Sequence, residues 1–330
     1  MSDVIGIHHV TAIAGHPQRS VNFYTSILGL RLVKLTVNFD DPTTYHLYFG
    51  DELGRPGTIL TFFPWSDAPK GHRGTGQVVT TSFLIPRNSI DYWKNRLKNN
   101  DVKVKGPFNR FDEQVLTICD LDGLELELVA HSSAEDRDLN VWNDGGVPFE
   151  YAVRGFYSVA LSEEGFERTA GVLEELGFSL IEQEKSRFRY KIKNSETGAS
   201  VVDVLCVPYT PSGYIGLGSV HHVAFRTPTD EKQKVLRSSI IKAGLNATPV
   251  IDRTYFHSVY FREPGGILFE IATDPPGFTI DQKSSELGTH LMLPEWLESE
   301  RKNLEKILPK LSLPYQGTQS GNQEFEKIIE

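Results

Sequence analysis

The chain has 330 residues, of which 39% are hydrophobic and 23% charged, the balance of a soluble globular protein of about two domains. Lys plus Arg number 34 against 43 Asp plus Glu, a net charge of −9; with no basic cluster to follow a phosphate backbone, nucleic acid is not an expected partner. No apolar run approaches the roughly eighteen residues of a spanning helix, and the N-terminus lacks the features of a signal peptide, so no membrane partner and a cytoplasmic location are expected.

Taken in order, the sequence repeats one plan four times, at a period of roughly seventy residues: a strand, an amphipathic helix, then two or three strands. The first module opens on Ile5-Gly6-Ile7-His8-His9-Val10, continues into a helix over 17–27 closed by Gly29, a usual C-terminal glycine, and follows with strands at 31–38, 44–49 and 58–63. The second has a strand at 78–85, a helix at 90–99 and a last strand at 124–129. The third opens at 155–161 with a helix at 166–176 before Gly177. The fourth opens on Ser219-Val220-His221-His222-Val223-Ala224-Phe225, has a helix at 231–243 before Gly244, and closes on Gly265-Gly266-Ile267-Leu268-Phe269-Glu270-Ile271, with Asp274-Pro275-Pro276-Gly277 ending the sheet.

This order predicts βαβββ units and an α+β fold. The polar stretch from His131 to Glu150 reads as an interdomain linker. The expected division is therefore a domain of modules one and two over 1–140, a domain of modules three and four over 150–275, and an extension over 276–330. That extension carries a helix from Pro294 to about Leu308, docking on the outside of the barrel or on another subunit of a homo-oligomer. The last dozen residues are polar and expected to be mobile. Cys119 and Cys206 end apolar runs without metal spacing and are expected to be small buried hydrophobes.

The chemistry is concentrated in the two His-His pairs and in Glu270, a carboxylate inside an apolar strand that needs a cation or a hydrogen-bonding partner. Two histidines and one carboxylate make the facial triad that suits non-haem Fe(II) with open positions. Comparing modules, the second places Thr81-Ser82-Phe83 and the third Tyr157-Ser158-Val159 where the others have histidines, and Thr61 stands where the fourth module has Glu270. Glu127 lies in a similar position but has no histidine to join it, and reads as structural. Since neighbouring strand residues point to opposite faces, one histidine of each pair faces the interior. We take these to be His9 and His222, with His8 and His221 behind them, able to exchange protons near neutral pH. His46 and His257, in aromatic strands, line a pocket or pack. No phosphate loop, Gly-x-Ser-x-Gly elbow or Cys-x-x-Cys is present.

These motifs, together with Tyr45-His46-Leu47-Tyr48-Phe49-Gly50-Asp51 and the run from Asp252 to Arg262, resemble the vicinal oxygen chelate superfamily of glyoxalases, bleomycin resistance proteins and extradiol dioxygenases. The resemblance covers about residues 5 to 273 and is greatest to two-domain enzymes that cleave para-hydroquinones. It implies two open-barrel glyoxalase-like domains, and Fe(II), with Mn(II) or Zn(II) as alternative occupants, on His9, His222 and Glu270. It further implies that His8, Thr11, His221, Arg253 and Tyr260 surround a small aromatic substrate into which both atoms of O2 are inserted. Three other outcomes remain open. A catechol-cleaving enzyme shares the triad, although its usual ligands come from the last two modules. A glyoxalase-type isomerase generally needs a fourth ligand where Thr61 stands. A metal-free sequestering protein would bind no iron at all.

Overall fold

A computed structural model describes residues 3–135, 137, 141–192 and 198–314; the predicted mobile tail lies outside them. The first module contains β1 (Gly6–Ala14), α1 (Pro17–Asn22) running on as a π-turn over Phe23–Ile27, β2 (Arg31–Asn38), β3 (Asp41–Gly50) and β4 (Ile59–Pro64). The second contains β5 (Gln77–Ile85), α2 (Ile90–Asn99), β6 (Val104–Arg110), β7 (Glu113–Cys119) and β8 (Glu125–Ala130). The third contains β9 (Phe156–Glu163), α3 (Glu167–Glu175), β10 (Phe178–Glu184), β11 (Arg187–Ile192) and β12 (Val201–Cys206). The fourth contains β13 (Ser219–Thr227), α4 (Asp230–Lys242), β14 (Ile251–Asp252), β15 (Phe256–Arg262) and β16 (Leu268–Pro276).

Each helix stops where its sequence says it should. Gly29, Gly177 and Gly244 all take positive φ, at +71°, +90° and +85°, the left-handed conformation that closes a helix at little cost only for glycine. Thr229 caps α4 by accepting from the Lys232 N–H. β16 runs to Pro276, past the end expected at Thr273.

The sixteen strands form two eight-stranded sheets, ordered β14-β15-β16-β13-β1-β4-β3-β2 and β10-β11-β12-β9-β5-β8-β7-β6, and the α+β, glyoxalase-like fold class is as expected. The grouping of modules differs from the division at 140 and 150. Modules one and four share the first sheet through the antiparallel pair β1–β13, and modules two and three share the second through β5–β9. The cause is the unpaired edge of each opening strand. β1 is hydrogen-bonded in parallel to β4 on one side, so its other edge must find a partner, and β13 supplies it. One apolar core runs through both sheets, with Phe83 stacked on Phe156 in the second and Phe178 of the second meeting Phe225 of the first.

After β16 the chain straps over the first sheet. Lys34, wholly buried, donates to the Phe278 carbonyl, Asp281 Oδ1 and Gln282 Oε1. The predicted terminal helix is a 3-10 segment over Glu295–Glu300 followed by α5 (Arg301–Ile307), and it docks on its own sheet: Leu304 and Leu308 are buried and Tyr45 donates to the Pro309 carbonyl. Cys119 and Cys206 correct the expectation of burial. Each is the last residue of its strand, where cover ends, so that Cys119 is exposed and Cys206 half-buried. No helix among the described residues is long and apolar enough to cross a membrane.

Candidate metal centre

The pairing of β1 with β13 brings the two His-His pairs together. Ile7 faces Phe225 and His9 faces Ala224, so His8 is an extra residue on β1; Thr11 faces His222 and Ala12 faces Val220, so His221 is an extra residue on β13. Both first histidines thus sit in β-bulges, the device by which a strand re-aims a side chain beside a site. This corrects the simple alternation argument, because within each pair the rings meet instead of facing away: His8 Nδ1 lies 2.9 Å from His9 Nδ1, and His221 Nδ1 2.8 Å from His222 Nδ1.

The second histidines converge on the carboxylate. His9 Nε2 is 3.2 Å and His222 Nε2 3.0 Å from Glu270 Oε2, and the two Nε2 atoms are 3.3 Å apart. Among the described residues this is the one cluster of three or more His, Cys, Asp or Glu groups arranged to hold a metal ion, and all three are buried. Glu270 arrives on β16, paired in parallel with β13 at Ala224. Its Oε1 accepts from the Ser258 hydroxyl at 2.5 Å, whereas Oε2 has no hydrogen-bond donor, the imidazoles lying close but outside hydrogen-bond geometry.

Local hydrogen bonds set the tautomer of His9. His8 Nε2 lies 3.2 Å from the Thr273 carbonyl, which can only accept, so this nitrogen carries the hydrogen. Burial, then the charge of His9, holds His8 well below the usual imidazole range, and the neutral ring therefore accepts at Nδ1 from His9 Nδ1–H. The lone pair of His9 is left on Nε2, facing Glu270. His221, driven down to about 3 by burial and then by His222, repeats the contact on the other side. Burial also lowers His222, although Glu270 opposes it. For Glu270 burial alone would raise the carboxyl, but whenever His9 and His222 carry protons they outweigh it and hold the group well below its ordinary range. Ring nitrogens and a buried, donorless carboxylate oxygen aimed at one point fit a divalent first-row cation, and such supporting partners are what fix ligating imidazoles.

The other predicted residues surround this point. Thr11, fully buried and across from His222, accepts from the Thr61 hydroxyl at 2.9 Å. Tyr260, opposite Glu270 on β15, meets the His222 ring edge-on at 5.7 Å between centroids. Arg253 lies over the Tyr260 ring at 5.5 Å. Sequence reasoning left His46 undecided and did not single out Tyr48, Ser258 or Phe256. His46 Nε2 is 2.9 Å from Thr61 Oγ1 and its Nδ1 2.8 Å from the Tyr48 hydroxyl, so His46, Thr61 and Thr11 form one chain. Phe256 packs on the rings of both His8 and His9 at 5.0 Å. The period-two placement of His46 and Tyr48 on β3 was the available signal. His257 turns away to Asp230 at the start of α4.

In the second sheet the comparable residues are displaced from the sequence alignment. β5 and β9 have bulges at Val79 and Tyr157, and Thr80 faces Ala160 as His9 faces Ala224. Thr80, not Ser82, therefore occupies the place of His9, and Ser82 that of Thr11. Glu127 accepts from Ser82 and pairs with Arg110, a buried structural contact.

The profile of the Glyoxalase/Bleomycin resistance protein/Dioxygenase superfamily matches residues 6–128 and 158–271. A Bacillus subtilis protein named "Putative ring-cleaving dioxygenase MhqO" is 44% identical over 92% of this chain and 96% of its own. The "Chlorohydroquinone/hydroquinone 1,2-dioxygenase" of Sphingobium indicum is 35% identical over 92% of this chain and 96% of its own. The crystal structure of a "putative dioxygenase" from Bacillus subtilis superposes with a TM-score of 0.90 at 43% identity, covering 95% of this chain and 99% of that one. The chain belongs to the glyoxalase, bleomycin resistance and dioxygenase superfamily.

Proposed function

We propose that the protein is a ring-cleaving dioxygenase that inserts both atoms of O2 into a hydroquinone-type aromatic diol, with Fe(II) held by His9, His222 and Glu270 and with Mn(II) or Zn(II) as alternative occupants. The observation that carries this reading is the convergence of two imidazole nitrogens and one donorless carboxylate oxygen within 3.3 Å. Three protein ligands leave open positions, and Thr61, which stands where a fourth carboxylate would complete a glyoxalase-type set, offers only a hydroxyl already given to Thr11. Relatives named for ring cleavage, one of them for hydroquinones, support the substrate class.

A ferrous ion held by His9, His222 and Glu270 would supply a Lewis acid for a ring hydroxyl and O2. The residues do the rest. His8 and the Thr273 carbonyl hold His9 in the ligating tautomer, and Ser258 holds the Glu270 carboxylate. His46, kept neutral by burial and then by His9 and His222, takes the Tyr48 O–H at Nδ1 and gives Nε2–H to Thr61. That direction leaves the Thr11 O–H free to donate to a ligand oxygen, a route along which a proton can be taken or returned. Arg253 brings the positive charge that a phenolate oxygen needs, and the aromatic rings of Tyr260, Phe63 and Trp65 form the apolar surroundings of the ring.

The test is protein purified without air, loaded with ferrous ion and offered hydroquinone or catechol in an oxygen electrode. We expect uptake with hydroquinone; uptake with catechol alone would assign an extradiol enzyme, and uptake with neither would remove the oxygenase reading. His222→Ala is expected to keep the far-ultraviolet dichroism of the fold and lose bound metal. Metal retained in that variant would overturn the ligand set.

A further inference from the structure

Arg253 is a cation beside the centre, over Tyr260, and it is already engaged. Its Nη1 donates to Asp40 Oδ1 at 3.1 Å and its Nη2 pairs with Asp40 Oδ2 at 2.9 Å, the two-pronged grip a guanidinium uses for a carboxylate. Asp40 belongs to the β2–β3 turn of the first module and Arg253 to the β14–β15 turn of the fourth, so the pair spans the same junction as the candidate ligands. The two sides of the contact differ in exposure: the Arg253 side chain is 19% exposed and that of Asp40 72%.

Inward, the guanidinium covers Tyr260, whose ring in turn meets that of His222 edge-on. The turn that presents it is held firmly. Thr254 takes φ of +68°, a conformation costly for a β-branched residue, and its N–H is held by Asp252 at 2.7 Å. The turn of Asp40 is also supported, by the Asn38 side chain and by Phe39 packing edge-on against Trp296 at 5.5 Å. His9, His222 and Glu270 behind this pair are at most 4% exposed.

We propose that Asp40 is a positioning residue, a resident counter-ion that keeps Arg253 poised over Tyr260 until an anionic oxygen of an aromatic ligand takes its place. The assignment rests on the reading that such a ligand binds beside His9, His222 and Glu270. The Nη1/Nη2 end of Arg253 is spent on Asp40, so a phenolate that takes this end displaces the carboxylate. An exposed ion pair is weak enough to be exchanged in this way.

The experiment is a spectrophotometric titration of the whole protein with 4-nitrophenolate, comparing wild type, Asp40→Asn, Arg253→Met and the double variant. Asp40→Asn is expected to tighten binding by roughly twofold to fivefold, the range an exposed ion pair allows. Arg253→Met is expected to weaken it, and the double variant to bind no tighter than Arg253→Met. Binding that is unchanged or weaker in Asp40→Asn, or equally tightened when Arg253 is absent, overturns the role of Asp40 while leaving the functional reading intact. A wild-type protein and variants that all fail to bind the phenolate overturn both.

Discussion

The first and second sheets place a fully buried carboxylate at the same point of the same scaffold, Glu270 opposite Ala224 in one and Asp203 opposite Ala160 in the other. Around them the registers correspond. His9 is replaced by Thr80, His222 by Ser158, Tyr260 by Arg189 and Ser258 by Arg187. Asp203 receives Arg189 Nε at 2.8 Å and Nη2 at 2.9 Å, and Arg187 at 2.7 Å. Arg189 also bonds Glu113, which Arg110 ties to Glu127. Burial pushes the Asp203 carboxyl up, but Arg189 and Arg187 outweigh it, much as protonated His9 and His222 do for Glu270. Glu270 and Asp203, each fully buried, call for a positive partner. In the second sheet the cation is a guanidinium attached to the neighbouring strand, and in the first its place is left to imidazole lone pairs that can share one from solution.

The most severe way to break this comparison is to give the first sheet the device of the second. Tyr260 faces Glu270 as Arg189 faces Asp203, so Tyr260→Arg is expected to bring a guanidinium onto Glu270, abolish retention of divalent metal and leave the fold intact. Elemental analysis of the purified variant decides it, and full metal content would end the equivalence. The reverse change, Arg189→Met, leaves Asp203 to Arg187 and Glu113 to Arg110 and is expected to lower stability by about 3 kcal/mol, read from urea unfolding. A loss under about 1 kcal/mol would show that the remaining arginines suffice.

What the sequence disclosed follows the same division. The four copies, α2 over 90–99, and the candidate ligands His9, His222 and Glu270 were legible because apolar periodicity and a doubled His-His pair are local signals. The bulges at His8 and His221 were not, since an extra residue changes no composition. In the second module no histidine marks the register, and Thr80 was consequently missed in favour of Ser82. The sharing of sheets by modules one and four depends on an edge pairing more than two hundred residues apart in the chain, to which periodicity is blind. The charged network was hidden differently: Arg187-Phe188-Arg189-Tyr190 alternates like a half-solvated strand, and only the structure shows that Arg189 is buried as fully as Tyr190 on the opposite face.

A finer test compares the support of the two carboxylates. Ser258 occupies the position of Arg187 but contributes a single hydroxyl to Glu270. Ser258→Ala is expected to weaken metal binding by about 10–100-fold, the usual cost of losing a partner behind a ligand; competition against a chelator measures it, and an unchanged affinity would make Glu270 self-sufficient.

The smallest effect lies where the second sheet leaves a carboxylate without a cation of its own. Glu163 on β9 corresponds to Thr227 on β13, and its Oε1 is buried with no hydrogen-bond partner. Burial, then the charge of Glu263, pushes its carboxyl up to about 8, against a partial pull from Arg168. In the unfolded chain the same group loses its proton near 4.3, so between roughly pH 4.3 and 8 the native state holds more protons and stability falls as pH rises. With allowance for solvent reaching it through the adjoining cavity lined by Thr75, Arg168 and Ser212, the loss is about 1–2 kcal/mol. Glu163→Gln is expected to remove it, so that the variant gains on the wild type between pH 5 and pH 8.5 in thermal unfolding. Parallel profiles would mean that Glu163 finds a counter-charge after all, and that the second sheet neutralises every carboxylate it buries.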